Sequence, residues 1–211
     1  MTSLQKSLPV RRLLKATMLR DGVLGLTLGF IVLLTVALAC FTPPVLAGMG
    51  VNTEILSFMW SNMTTDTLRE KVCFIAPDVG LSFTPPEAAH LADVRNLLHS
   101  AAWACGGLTL LFIAGGLLRP NWQRITLAAF GAIALLAATV TGLWLGADFQ
   151  AVSNIFHNAF FPSGNWQFAP HQLMITLYPP VVMQTGMQLW LGVSLLVSGV
   201  IALISWHKNK A

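Results

Sequence analysis

Four long apolar blocks, a near absence of charge and two polar connections facing one side predict an all-α integral membrane protein with four transmembrane helices. The 211 residues are 55% hydrophobic and only 9% charged, whereas a soluble globular domain carries roughly 25% charged residues. That deficit excludes an ordinary soluble domain. The few charges are unbalanced, 12 Lys and Arg against 8 Asp and Glu for a net charge of +4. On so apolar a chain this suits anionic lipid headgroups, not nucleic acid.

The apolar residues are concentrated in blocks of about the 20 residues that a bilayer requires. The first runs from Asp21 to about Phe41, and the second from about Leu97 to Leu118, where Arg119-Pro120 stops it. The third covers Thr126 to Gly146 and the fourth Gly186 to Ser205, giving a single four-helix membrane domain over residues 1–211. The first block is too long, and its basic flank too extended, for a cleaved signal peptide. Gly25 with Gly29, and Gly142 with Gly146, are small-xxx-small pairs that let helix backbones approach closely. Nine of the twelve basic residues (Lys6, Arg11, Arg12, Lys15, Arg20, Arg119, Arg124, Lys208 and Lys210) flank the spans on one side. Basic residues in short loops stay cytoplasmic, so the N and C termini are expected inside. The connections 42–96 and 147–185, with seven of the eight acidic residues, are expected as two long outer loops. Cys40, Cys73 and Cys105 form no C-x-x-C pair, against a thiol oxidoreductase.

In the first outer loop, Pro43-Pro44 opens a mixed stretch that reads as irregular through Lys71, with one short helix around 54–62. Thr84-Pro85-Pro86-Glu87 then supplies an N-cap, a proline at the first helical position and the acidic residue of a capping box. Nothing breaks the helix before Arg119, which predicts one helix of roughly 34 residues, about 51 Å long, continuing into the second span. His90 falls in its second turn, about 10 Å above the apolar boundary near Leu97, at headgroup depth. His90 and Asp93 share a face, whereas His99 lies on the opposite side. A histidine with a carboxylate one turn away can be held in one tautomer and serve as a general base. The same residues, with Arg95, also fit a solvated helix end.

The second outer loop holds an amphipathic helix over Asp148 to Phe161. Phe149, Val152, Phe156 and Phe160 form its apolar stripe, and Gln150, Ser153, Asn154 and His157 its polar one. The loop contains no Lys or Arg, so this helix is expected to lie at the membrane interface against the bundle rather than to be drawn there by charge. Pro162-Ser163-Gly164-Asn165 turns the chain, and Trp166, Phe168 and Tyr178 fit interfacial aromatics. His157 faces a polar, uncharged rim, where it can be catalytic or simply hydrogen-bonded structure.

Two segments carry a family resemblance. Glu87-Ala-Ala-His90-Leu-Ala-Asp93-Val94 resembles an E-x-x-H-[LM]-x-D-V motif, and Phe156-His157-x-x-Phe160-Phe161, with Gly164, Trp166, Phe168 and Leu177-Tyr178-Pro179, resembles F-H-x-x-F-F…W-x-F…L-[YF]-P. With four spans and two outer loops, these resemble the bacterial lipoprotein intramolecular transacylases. The resemblance implies a plasma-membrane acyltransferase with its active site on the outer face. It would move an acyl chain from the glyceryl sn-2 position of a diacylated lipoprotein to the α-amino group of the lipoprotein's N-terminal cysteine. The motif histidines map to His90 and His157. The chain departs from the pattern at Gln172, where an Asp is expected, and at Pro180, where a Glu is expected.

Acyl transfer to an amine needs a base, an acid for the departing alkoxide and donors for the oxyanion. His90, oriented by Asp93, fits the base and His157 the acid or oxyanion donor, or the two exchanged. Glu87, Asn154, Asn158, Asn165 and Trp166 are the supporting candidates. No Ser is flanked as G-x-S-x-G, and an intramolecular reaction already holds amine and ester together, so no acyl-enzyme, cofactor or metal is required. The expected partners are the diacylated lipoprotein substrate and membrane lipids. A haem- or metal-binding membrane protein is the alternative suggested by five histidines, although none lies mid-span. A non-enzymatic scaffold with structural histidines is another.

Overall fold

The computed structural model describes residues 4–50, 58–61, 64, 66, 67, 70, 83–118 and 120–208, with residues 4–13 described as backbone only. All regular structure among them is helical. The elements are α1 (Leu4–Cys40), α2 (Pro43–Gly48), α3 (Pro85–Gly116), α4 (Trp122–Gly146), α5 (Phe149–Phe160), α6 (Leu173–Leu177) and α7 (Pro180–Lys208). Four of them, α1, α3, α4 and α7, are long and apolar enough to cross a membrane. Each contains one of the apolar blocks except for residues just past its C-terminal end, and the helices continue upstream of the blocks.

Proline sets several of these boundaries. Thr42 is extended at the N-cap of α2, with Pro43 at the first helical position, where proline's fixed φ and missing N–H carry no penalty. The irregular stretch expected after Pro43-Pro44 therefore begins instead as a helical turn, anchored by buried Leu46 against Phe41, Met49, Tyr178 and Val182. Pro180 starts α7 in the same way. Of the short helix expected around 54–62, Phe58–Trp60 is helical, Ser61 is a bend, and the rest lies outside the described residues, as does Cys73.

The chain packs as two compact units. The first comprises Met1–Thr35, Ala104–Ala138 and Leu191–Ala211. Here α1 and α4 touch backbone to backbone: a Cβ on Gly25 would stand 2.6 Å from the Ala128 Cβ and 2.8 Å from the Ile125 carbonyl oxygen. Asp21, 2% exposed, is paired at 2.8 Å with Arg20, which also donates to the Leu118 carbonyl at 3.0 Å. That bond satisfies a carbonyl left over beyond the end of α3.

The second unit comprises Val36–Trp103 and Thr139–Trp190. Its core is built from Phe58, Met59, Phe83, Ala88, Leu91, Leu98, Leu173 and Met174, so the first turns of α3 are packed rather than solvated. Gly142 and Gly146 belong to this unit and meet open space among the described residues. The close approach expected at that pair is not made there, because no neighbouring helix backbone faces it.

Candidate active site

Glu87 fixes the start of α3. Its Oε2 accepts from the Thr84 N–H and the Thr84 hydroxyl, both at 2.7 Å. This is the Glu-to-N-cap half of a capping box. The Thr84 hydroxyl turns to the carboxylate instead of to a backbone N–H. The other oxygen, Oε1, accepts from the Met174 N–H of α6 at 2.8 Å. Glu87 is 0% exposed, and both its oxygens are committed, so its contribution is to hold α3 and α6 together beside the site.

One turn on, His90 is 6% exposed. Phe161 meets its ring edge-on at a centroid distance of 4.7 Å, and Phe168 does so at 5.5 Å. The Asp93 carboxylate accepts from Asn165 Nδ2 at 2.7 Å. A carboxylate can only accept, so the Asn165 amide nitrogen must face Asp93, leaving its carbonyl end free. Asp93 therefore acts on His90 through its charge and through Asn165. Burial and the neighbouring His157 lower the His90 pKa to about 4, and the Asp93 charge and the Asn165 amide oppose that shift in part. His90 lies in the polar turns that precede the apolar stretch of α3, and at neutral pH it is an uncharged imidazole.

His157 is presented by α5. Asp148 caps this helix by accepting the Ala151 N–H at 2.7 Å, and Val152 is buried beneath it. The polar stripe faces inward at His157, while Ile155 and Phe160 are exposed. His157 Nδ1 lies 2.8 Å from the Ser153 carbonyl oxygen and 3.2 Å from the Ser153 hydroxyl. A carbonyl oxygen cannot donate, so Nδ1 carries the proton and Nε2 presents a free lone pair. Burial lowers the pKa of this histidine too, with the Ser153 carbonyl opposing.

The two histidines are stacked, with ring centroids 5.8 Å apart and planes inclined by 29°. The turn after α5 brings Trp166 back against His157. The Gly164 N–H donates to the Phe161 carbonyl at 3.2 Å, Pro162 occupies the favoured second position, and Gly164 sits at φ +73, a region open to glycine. Trp166 then lies against His157 at 4.8 Å and 30°. Of the remaining candidates, Asn154 accepts from Gln150 at 2.8 Å along α5, and Asn158 is exposed. His99 lies beside Trp60, with ring centroids 6.3 Å apart, and His171 is exposed in a turn. Phe161 and Phe168, which enclose His90, belong to the sequence motif, but their role as walls is visible only in three dimensions. The residues at which the chain departs from the motif have local tasks: the Gln172 side-chain carbonyl accepts the Ala169 N–H, and Pro180 begins α7.

The two histidine segments lie within a stretch that matches a known family. The sequence model of the lipoprotein intramolecular transacylase family, Lit, matches residues 48–181, well over half of the chain. Searches of curated proteins and of solved structures found no match. The family match spans α3, α5, α6 and every residue placed around His90 and His157, and on it the chain belongs to the lipoprotein intramolecular transacylase family.

Proposed function

We propose that the protein is a membrane acyltransferase that moves a fatty acyl chain from the glyceryl sn-2 ester of a diacylated lipoprotein to the α-amino group of the same lipoprotein's N-terminal cysteine. The observation that carries this reading is the stacked pair of uncharged histidines, His90 buried and His157 half-buried, the latter with its tautomer fixed by the Ser153 carbonyl. Proton balance explains why two are useful. A terminal ammonium loses two protons on becoming a secondary amide, while the departing glyceryl oxygen takes up one. Two neutral imidazoles can accept both protons and return one.

The tautomer favours His157 as the base that removes the first proton, through Nε2. The freed amine attacks the ester carbonyl, and His90 takes the second proton with support from the Asp93 charge. An imidazolium with a pKa of about 4 is a strong acid for a histidine, so His90 suits the return of a proton to the alkoxide as the C–O bond breaks. Asp93 and Asn165 are positioning residues, and Glu87 acts through the placement of α6. No covalent acyl-enzyme is required, since the reaction is intramolecular and proximity can supply ~7–11 kcal/mol.

The basic residues flanking the spans favour termini on the cytoplasmic side and the histidine pair on the outer face of the plasma membrane. Exposed Ile155 and Phe160 suit an α5 lying in the outer interface, where the ester and the lipoprotein N-terminus meet. The test is His90→Ala and His157→Ala, each expressed in cells that make diacylated lipoproteins. Both should abolish formation of the N-acylated lyso form while the proteins melt near the wild-type temperature. Full conversion by either variant would contradict the assignment, and collapse of both folds would favour a structural pair.

A further inference from the structure

Around the histidine pair His90 Nδ1, Asn165 Oδ1 and Trp166 Nε1 are buried without a hydrogen-bond partner among the described residues, and of these Trp166 Nε1 is the one that can only donate. The Trp166 side chain is nine-tenths buried, and its Nε1–H has no hydrogen-bond partner among the described residues. An indole nitrogen only donates, so what it lacks is an acceptor. A buried donor left unpaired costs free energy and calls for a reason. The ring itself is held in place, 4.8 Å from His157 and tilted by 30° to it, at the end of a turn that requires Gly164 at positive φ. The other polar groups nearby cannot fill the same role. Asn165 Nδ2 already donates to Asp93, Asn165 Oδ1 only accepts, His157 Nδ1 is bound to Ser153, and His90, whose Nδ1 is also unpartnered among the described residues, is engaged in proton transfer in the reading above.

We propose that the Trp166 indole N–H is the donor that holds the acyl carbonyl oxygen while it becomes the oxyanion. The inference rests on the acyl-transfer reading above and adds the group that reading leaves unassigned. As the amine nitrogen forms its bond to the carbonyl carbon, the carbonyl π pair moves onto oxygen and is stabilised by Nε1–H. When the intermediate collapses, that pair re-forms the carbonyl, the bond to the glyceryl oxygen breaks, and the alkoxide takes a proton from the histidine pair. Trp166 forms no covalent bond and exchanges no proton. A donor already fixed by packing needs no reorganisation when the charge appears, which is the source of this kind of stabilisation.

The test uses the full-length protein in phospholipid nanodiscs with a synthetic diacylated lipopeptide. Trp166→Phe keeps an aromatic ring against His157 and removes the N–H. Replacement of Trp166 by benzothienylalanine keeps the bicyclic shape as well and exchanges the N–H for sulfur. Both should lower turnover by about 10²–10³-fold, as loss of one oxyanion donor does, without altering the shape of the pH profile. The melting temperature should hold or rise, because the change removes an unpaired donor. Wild-type-like turnover, within about threefold, in the benzothienyl protein overturns the proposal, as does a loss of turnover matched by a lower melting temperature in both variants. No acyl migration by the wild-type protein overturns the acyl-transfer reading itself, and the proposal with it.

Discussion

Removing the Glu87 carboxylate should destabilise the second unit through the bonds it accepts. Glu87→Ala deprives three donors at once: the Thr84 N–H and hydroxyl at 2.7 Å, and the Met174 N–H at 2.8 Å. Hydrogen bonds to a charged acceptor contribute about 1.5–3 kcal/mol each, and a fully buried donor left without a partner sits at the upper end. The Met174 N–H is in that position, for about 2–3 kcal/mol. Thr84 is only partly buried, so water can replace much of its loss, adding about 1 kcal/mol. Relief of carboxylate desolvation offsets about 1 kcal/mol. The net loss is about 2–3 kcal/mol on these terms. Glu87→Gln keeps one oxygen for Met174, while its amide nitrogen can meet the Thr84 hydroxyl but opposes the Thr84 N–H, giving about 1–2 kcal/mol. Unfolding of the wild type and both variants by denaturant in one detergent should rank Ala below Gln below wild type. An Ala variant within about 0.5 kcal/mol of wild type, a surface-like effect, or a Gln variant less stable than Ala, would refute this account of Glu87.

Other consequences concern the histidines and the helix contact. Both have depressed pKa values in the folded protein, so the unfolded chain binds more protons in the acid range; stability should be full above about 6.5 and fall as pH drops toward about 4. Unfolding midpoints measured across that window check this, and His90→Phe should flatten the slope. Ser153→Ala should leave turnover within about threefold of wild type, because the backbone carbonyl at 2.8 Å, not the hydroxyl at 3.2 Å, holds His157 Nδ1; lost hydrogen bonds of that marginal kind carry well under 1 kcal/mol. A large loss of turnover would show that the hydroxyl carries the tautomer. Gly25→Ala places a Cβ 2.6 Å from the Ala128 Cβ and should cost about 1–3 kcal/mol in the same unfolding assay, whereas Gly142→Ala, in open space, should be close to neutral.

The four long helices were legible because each rests on a continuous apolar block, and the capping signal at Thr84–Glu87 fixed where α3 begins. The pairing of His90 with His157 was reachable only through the motif resemblance, since the residues are far apart in sequence and no periodicity links them. What the sequence did not reveal lies in contacts that any residue type could make. The Ser153 carbonyl that sets the His157 tautomer is a backbone group. The Met174 N–H that occupies Glu87 is another, 87 residues away. Asp93 was legible as a partner for His90 from helix spacing, but its direct bond to Asn165, 72 residues distant, depends on the turn at Gly164. The short helix α2 does not show in the sequence because the mixed stretch from Pro43-Pro44 onward carries no clear period, although prolines at the first positions can start a helix. Five-residue α6 has too few residues to show a period. The Gly142–Gly146 pair differs for the opposite reason: the spacing is present, but among the described residues nothing lies against it.

In the proposed reaction an acyl chain moves within one lipoprotein and nothing is released. The most direct test incubates the purified protein in nanodiscs with a synthetic diacylated lipopeptide and fragments the product by mass spectrometry. An unchanged intact mass, with one acyl chain shifted from a base-labile glyceryl ester to the N-terminal amide, and no shift with His157→Ala, is the predicted result. A product lighter by one fatty acid, or a substrate left unaltered by the wild-type protein, would contradict it.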